Sequence, residues 1–256
     1  MKILVHLIQS LFSKLGLVVL RQESFQDLQG YVDVARRYAI LSHFGDTFLK
    51  QRFMEMEEKS QAQLHQDLVA AMVAGFRESG FFVEFGATDG KTLSNTLMLE
   101  KELGWTGILG EPGREWHDAL RSNRDALLVK KAVWSKTGEE LDFVEDGELS
   151  TLTRFRSIDK NLRKGREYKV NTISLFDLLV ENDAPKEIDF LSIDTEGSEL
   201  EILEAFDFSR YSFNFICVEH NFTRQESRIE TLLASNGYQR ILLEVSGWDA
   251  WFVRSK

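Results

Sequence analysis

One cysteine, two prolines and no long apolar run are the scarcities of this 256-residue chain. A single thiol, Cys217, excludes an intramolecular disulfide framework and a cysteine-built zinc site, and suits a reducing cytosolic compartment. Pro112 and Pro185 leave no proline-rich linker. Apolar runs fall short of the roughly 20 residues a membrane helix requires. Positive charge is also short: 31 Lys and Arg against 41 Asp and Glu give a net charge of −10. A general nucleic-acid binder needs a basic surface to release counterions, so that class is excluded. What is abundant is apolar and aromatic residues, 43% and 11% of the chain, enough for a packed core and too many for a disordered chain.

The hydrophobic pattern changes character near residue 80. Before it, three stretches recur at helical spacing, 3–20, about 25–44 and 61–79, with Ser60 a cap for the last and Gly80 its stop. The first is interrupted by His6, Gln9, Ser10, Ser13 and Lys14. It reads as an amphipathic helix that packs on the body or on a second subunit, giving a route to a homo-oligomer. Docking at a membrane surface is its alternative. Polar Glu55–Ser60 is the expected joint.

After it, short apolar runs alternate with helical stretches. The cleanest are 81–85, 107–110, 188–193 and 214–218, and a hairpin over 241–253 closes the chain. Alternation of this kind predicts an α/β fold, a doubly wound and mostly parallel sheet, over 81–256, with 1–80 as a helical N-terminal extension. Ligands in such folds sit beyond the carboxyl ends of the strands.

Three acidic clusters fall at those ends. Glu84-Phe85-Gly86-Ala87-Thr88-Asp89-Gly90 has glycines for close backbone approach but lacks the three-glycine spacing of a pyrophosphate cradle. Glu111, 27 positions after Glu84, can accept two bonds from a ribose diol. Together they describe an adenosine site without a phosphate site, which fits S-adenosylmethionine. The third, Asp194-Thr195-Glu196-Gly197-Ser198-Glu199, crowds three carboxylates at the mouth of the best strand. A capping box of Ser198 with Glu201 would account for part of it but leaves Asp194 unexplained. Glu84, Gly86, Ala87, Asp89, Glu111 and Asp194 are therefore the candidate cofactor contacts.

Residues 82–90, Gly110-Glu111-Pro112 and 188–199, in that order and spacing, resemble the FkbM-type family of S-adenosylmethionine-dependent methyltransferases over about 81–253. The Asp-Thr-Glu-Gly-Ser-Glu element carries most of the likeness. The resemblance implies a Rossmann-like sheet of seven strands with the last antiparallel, and a cofactor pocket lined by Glu84, Gly86 and Glu111. It also implies an O-methyltransferase acting on a glycan or small-molecule acceptor, such as a nucleotide-linked or lipid-linked sugar. The alternatives are a peptide or small-molecule acceptor, and a cofactor-binding module without turnover.

Glu219-His220-Asn221 ends strand 214–218 and should lie beside Asp194. A hydroxyl must lose its proton as it attacks a methyl group. His220 has the ordinary pKa of a general base, with Asp194 and Glu219 as its catalytic neighbours. Alternatively, Asp194, Glu219 and Asn221 form an oxygen set suited to Mg²⁺ or Mn²⁺. Finally, 154–169 holds seven bases and two acids, leaving −15 for the remainder. Arg163, Lys164 and Arg166 are its candidates for binding a phosphorylated acceptor, against the plainer reading of a solvated loop.

Overall fold

The computed structural model describes residues 22–158 and 161–255; the amphipathic reading of 3–20 lies outside them. The chain divides into two compact units, 1–42 and 43–256. This division differs from the boundary expected at 80/81, because 43–80 packs within the larger unit. The described part of the first unit, 22–42, lies in helix α1 (Gln22–Phe44). No helix of the described residues is long and apolar enough to cross a membrane.

In the second unit, Asp46 caps α2 (Thr47–Met56) by accepting from the Leu49 N–H at 3.0 Å. The expected joint Glu55–Ser60 is the end of this helix and a 3-10 turn, Glu57–Lys59. The helix expected over 61–79 is shorter, α3 (Gln66–Val73), entered through His65 in left-handed backbone. Ser60 does not cap it; its hydroxyl donates to Asp67 Oδ1 at 2.7 Å. Gly80 is not a helix stop either. A Cβ there would stand 2.4 Å from the Trp105 ring, so the glycine makes room for that buried indole.

The sheet follows the alternation: β1 (Phe81–Phe85), α4 (Leu97–Leu103), β2 (Thr106–Gly110), α5 (His117–Asn123), β3 (Leu127–Val129). After an insertion come α6 (Leu175–Glu181), β8 (Glu187–Ile193), α7 (Glu199–Glu204), β9 (Ser212–Glu219), α8 (Glu226–Ser235), β10 (Tyr238–Ile241) and β11 (Asp249–Arg254). The spatial order is β10-β11-β9-β8-β1-β2-β3. β1, β2, β3, β8 and β9 pair in parallel, and the last strand, β11, is antiparallel to both β9 and β10. Both faces are covered, which is why the strands are near-continuously apolar. Successive side chains alternate between the faces: Val83, Leu191 and Ile216 enter one core cluster, while Phe190 and Phe215 stack at 5.2 Å outside it. Asp189, an acid inside β8, is buried because Arg77, the Phe81 N–H and the Asn214 amide all bond it. Ser174 caps α6 as its spacing predicts, accepting from Asp177 N–H at 3.0 Å.

The insertion was not legible as a fold. It forms a second sheet ordered β4-β7-β5-β6, from β4 (Ala132–Trp134), β5 (Glu140–Glu145), β6 (Thr151–Leu152) and β7 (Arg166–Ser174). The basic loop therefore ends in a strand from Arg166 onward. Some of its described charges pair: Lys169 meets Asp142 at 2.8 Å and Arg156 meets Glu167. Trp134, Phe143, Leu152, Phe155 and Val170 form its own small core.

Candidate active site

The carboxyl ends of β1, β2, β8 and β9 open into one cavity of about 360 Å³, within the roughly 300–1,000 Å³ of small-molecule sites. Glu84, Gly86, Ala87, Glu111, Asp194, Glu219 and Asn221 all line it. The structure thus brings together most of the residues singled out from the sequence.

Gly86 sets the geometry between β1 and β8. Its φ is +76°, and a Cβ on it would lie 2.0 Å from the Asp194 carbonyl oxygen. Only glycine allows both the left-handed turn and that approach. Glu84 is buried; Oε1 accepts from the Asn95 N–H at 2.8 Å and Oε2 from the Thr96 hydroxyl. Arg124, equally buried, stands behind it at 3.6 Å, donates to Thr96 Oγ1 at 2.8 Å and pairs with Glu100 at 2.9 Å. Glu84 therefore shapes the loop at 94–96 as well as the cavity wall. Glu111 accepts one backbone bond on each oxygen, from Thr88 at 2.9 Å and Gly113 at 2.6 Å. Each oxygen keeps a further lone pair. Burial pushes its pKa up to about 7 against the pull of those bonds.

Asp89 does not reach the cavity. Its carboxylate closes its own turn, accepting from the Lys91 and Thr92 N–H groups and the Thr92 hydroxyl at 2.7–2.8 Å. The cofactor role expected of it is corrected to a local structural one.

At the β8 and β9 ends, oxygens of Asp194, Glu196 and Glu219 lie within 4.8 Å of one another. Burial, then repulsion from Glu196, Asp249 and Glu199, drives Asp194 well above the ordinary carboxylate value. Burial and the charge of Asp194 push Glu219 up to about 12. Carboxylates this close repel as anions, which favours a proton held between them. Behind them Asp249 is buried and accepts from Gln66 Nε2 at 2.8 Å and from the Cys217 thiol at 3.0 Å. Glu199 closes the 195–199 turn, accepting from Thr195 and Gly197 N–H at 2.8 and 3.0 Å. No capping box of Ser198 with Glu201 forms, because the Ser198 hydroxyl donates to Thr195 Oγ1.

His220 is not the base that its ordinary pKa suggested. It is buried off the cavity wall, and Nδ1 accepts from the Phe222 N–H at 3.0 Å. Burial holds the ring below its ordinary value, so it stays neutral. Its work is to fix the turn at Asn221 and Phe222. Arg163 is likewise no acceptor ligand. Its side chain is fully buried, donating to Glu196 Oε2 at 2.5 Å, Leu149 O at 2.7 Å and Arg156 O at 3.2 Å. It pins the β5–β6 turn, whose residues 147–152 line the cavity, to the end of β8. Lys164 and Arg166 are exposed and off the wall; the Lys164 N–H bonds Asp146, and Arg166 sits opposite Glu145 on β5. The described wall contains Glu84, Glu111, Glu148, Asp194, Glu196, Glu219 and Asp249, and no Lys, Arg or His. The anion site expected from the basic stretch is not part of this cavity.

Four contributors were missed. Glu196 was visible in its motif but not as a partner of Glu219. Glu148, Gln66 and Asp249 carried no local signal, since only the tertiary fold brings them to the wall.

The model of the methyltransferase FkbM domain matches residues 84–240, which takes in every strand end described above. The chain belongs to the FkbM methyltransferase family. It is accordingly a methyltransferase that uses S-adenosylmethionine. No curated protein matches it in sequence. Among solved structures it is similar to a precorrin-6y C5,15-methyltransferase from Geobacter metallireducens GS-15, at 10% identity and TM-score 0.39, covering 73% of this chain and 85% of that one. A ribosomal protein L11 methylase from Lactobacillus delbrueckii subsp. bulgaricus is similar at 15% identity and TM-score 0.40, covering 75% and 80%. A methyltransferase from Pyrococcus furiosus shows 14% identity and TM-score 0.37, covering 74% and 83%.

The cofactor fits this cavity on three observations. Gly86 clears a backbone path that any side chain would block, Glu111 presents buried acceptor oxygens, and the acid-only wall suits a ligand bearing a sulfonium and an ammonium group.

The acids carry a stability cost that depends on pH. Burial raises Asp67 and Glu111 to about 7, and raises Glu199 and Asp249 as well. Between the ordinary carboxylate values and about 7 the unfolded chain binds fewer protons than the folded one, so stability falls as pH rises. The ligand-free protein should show a Tm that decreases from pH 5 to pH 8, followed by circular dichroism. A Tm that rises over that window would contradict the assigned protonation.

Proposed function

We propose that the enzyme transfers the methyl group of S-adenosylmethionine to a hydroxyl oxygen of a neutral sugar. The observation that carries this reading is the wall, whose described charged residues are all acids, ending in the crowded carboxylates of Asp194, Glu196 and Glu219. The cofactor supplies an electrophilic methyl on a sulfonium centre. Glu111 would accept the ribose hydroxyls on its remaining lone pairs, and Gly86 and Ala87 would let backbone approach the cofactor. Asp194 would face its cationic end. A bound cation lowers the pKa of neighbouring carboxylates. The Asp194–Glu219 pair would then give up its shared proton and become able to take one from the acceptor hydroxyl as oxygen attacks. Much of the rate would come from holding oxygen and methyl in line.

The wall favours a neutral acceptor. A phosphate within it would meet carboxylates and, among the described residues, no cation, so a nucleotide or lipid diphosphate is disfavoured there. Trp248 lines the cavity and is half-buried, a face on which a sugar ring can stack.

A second reading of the acids rests on their spacing. Three carboxylates within 4.8 Å, with the Asn221 amide on the same wall, make a hard-oxygen set suited to Mg²⁺ or Mn²⁺. Such an ion would lower the pKa of a coordinated hydroxyl. Incubating the full chain with methyl-labelled cofactor and a panel of neutral glycosides and sugar phosphates tests both. Label on a neutral glycoside, surviving exhaustive chelation, supports the carboxylate pair as base; loss on chelation with return on adding Mg²⁺ supports the ion. Label on sugar phosphates alone would contradict the neutral-acceptor reading.

A further inference from the structure

Bulky apolar residues stand exposed on the cavity lining or one residue from it, two of them in backbone that disfavours them. Leu93 lines the cavity, is 41% exposed and has a φ of +58°. Phe222 is 73% exposed at a φ of +54°, directly after the cavity-lining Asn221, itself at +45°. Leu162, 74% exposed, follows the cavity-lining Asn161. The three come from separate loops: β1–α4, the segment before β7, and β9–α8. Left-handed backbone is unfavourable for a leucine or phenylalanine, and neither residue recovers that by burial. The Phe222 conformation is actively held, by the Phe222 N–H bond to His220 and by edge contact of the two rings at 5.5 Å. Folding gains nothing from presenting these side chains; a ligand does.

Resting on the methyltransferase reading above, we infer that the acceptor is amphiphilic: a neutral hydroxyl-bearing head enters the acidic cavity and an apolar tail or aglycone lies across Leu93, Leu162 and Phe222. What covers the collar is set by its place. It adjoins residues of the ligand cavity, and three separate side chains fall well short of the roughly 800 Å² per partner of a stable protein interface. The wall beneath carries acids and no described cation, so the head is uncharged rather than phosphorylated.

The test compares octyl β-D-glucoside, below its micelle concentration, with methyl β-D-glucoside. Both carry the same head and only one has a tail. Calorimetry on the full chain saturated with S-adenosylhomocysteine should show the octyl form binding at least about tenfold tighter, the scale of burying only two methylenes. In the double variant Leu93→Asn, Phe222→Asn that preference should vanish while S-adenosylhomocysteine binds as before. Asparagine tolerates left-handed backbone, so the variant's Tm should hold or rise. Equal affinity for the two glucosides, no octyl glucoside binding, or a preference that survives in the variant would overturn the proposal. So would a fall in Tm, which would mean the residues serve packing. Binding of the unaltered chain, but not the variant, to phosphatidylcholine vesicles without competition from octyl glucoside would assign the collar to a membrane instead. Failure of the unaltered chain to bind S-adenosylhomocysteine would strike the methyltransferase reading itself, a separate result.

Discussion

Gly86→Ala should abolish detectable S-adenosylmethionine binding. The glycine sits at φ +76°, where any L-residue is strained, and the added methyl would begin 2.0 Å from the Asp194 carbonyl oxygen. That oxygen belongs to backbone at the end of β8 and cannot swing aside like a flexible side chain. Relief requires the β1 and β8 ends to separate, which moves Glu84, Ala87 and Asp194 together. Calorimetric titration with S-adenosylmethionine, beside a thermal melt, reads both consequences: lost affinity and a lowered Tm. Gly138→Ala is the control, because it also has positive φ but its Cβ would meet nothing within 4 Å. It should pay only the backbone strain and keep its affinity. Near-normal affinity in Gly86→Ala would mean that the cofactor does not lie along this path.

Arg163→Met should be the most destabilising single change in the insertion. The guanidinium is fully buried and spends its donors on Glu196, Leu149 and Arg156. Its removal takes a buried ion-pair partner from Glu196, which lies beside Asp194 and Glu219, and a donor from the Leu149 carbonyl. Breaking a buried ion pair from one side costs roughly 3–5 kcal/mol, or about 6–20 °C in Tm for a domain of this size. Adding Glu196→Leu should restore much of that loss, because an apolar pair avoids the stranded charge. If the arginine bound an exposed anionic acceptor instead, Arg163→Met would leave the melt unchanged. The thermal melts of the two variants decide it.

The parts of the molecule legible in sequence are those where local chemistry and tertiary role coincide. β8 reads as a buried strand because both of its faces are covered, and Ser174 reads as a cap because its hydroxyl serves a neighbour three residues on. Glu84, Glu111 and Asp194 were legible because strand ends are where open α/β sheets bind ligands. The failures share a cause. His220 and Arg163 have the side chains of a base and an anion ligand, but burial turns one into a clamp for the Phe222 turn and the other into a clamp for the cavity-lining segment 147–152. Sequence shows residue type and not which way a side chain faces. β5 and β7 hold as many charged as apolar residues, and the basic stretch 154–169 reads as a solvated loop until Lys169–Asp142 and Arg156–Glu167 pair across and beside the strands. The second sheet, and with it the cavity-lining segment 147–152, is a product of long-range pairing.

The central claim is that the acid-ended cavity holds S-adenosylmethionine through Glu111. Calorimetry of the unaltered chain and of Glu111→Ala with S-adenosylmethionine tests it most directly. One site per chain should fill, with affinity in the variant reduced at least about tenfold, the loss expected when hydrogen bonds to a buried carboxylate are removed. No binding to the unaltered chain, or equal binding to both, would contradict the account.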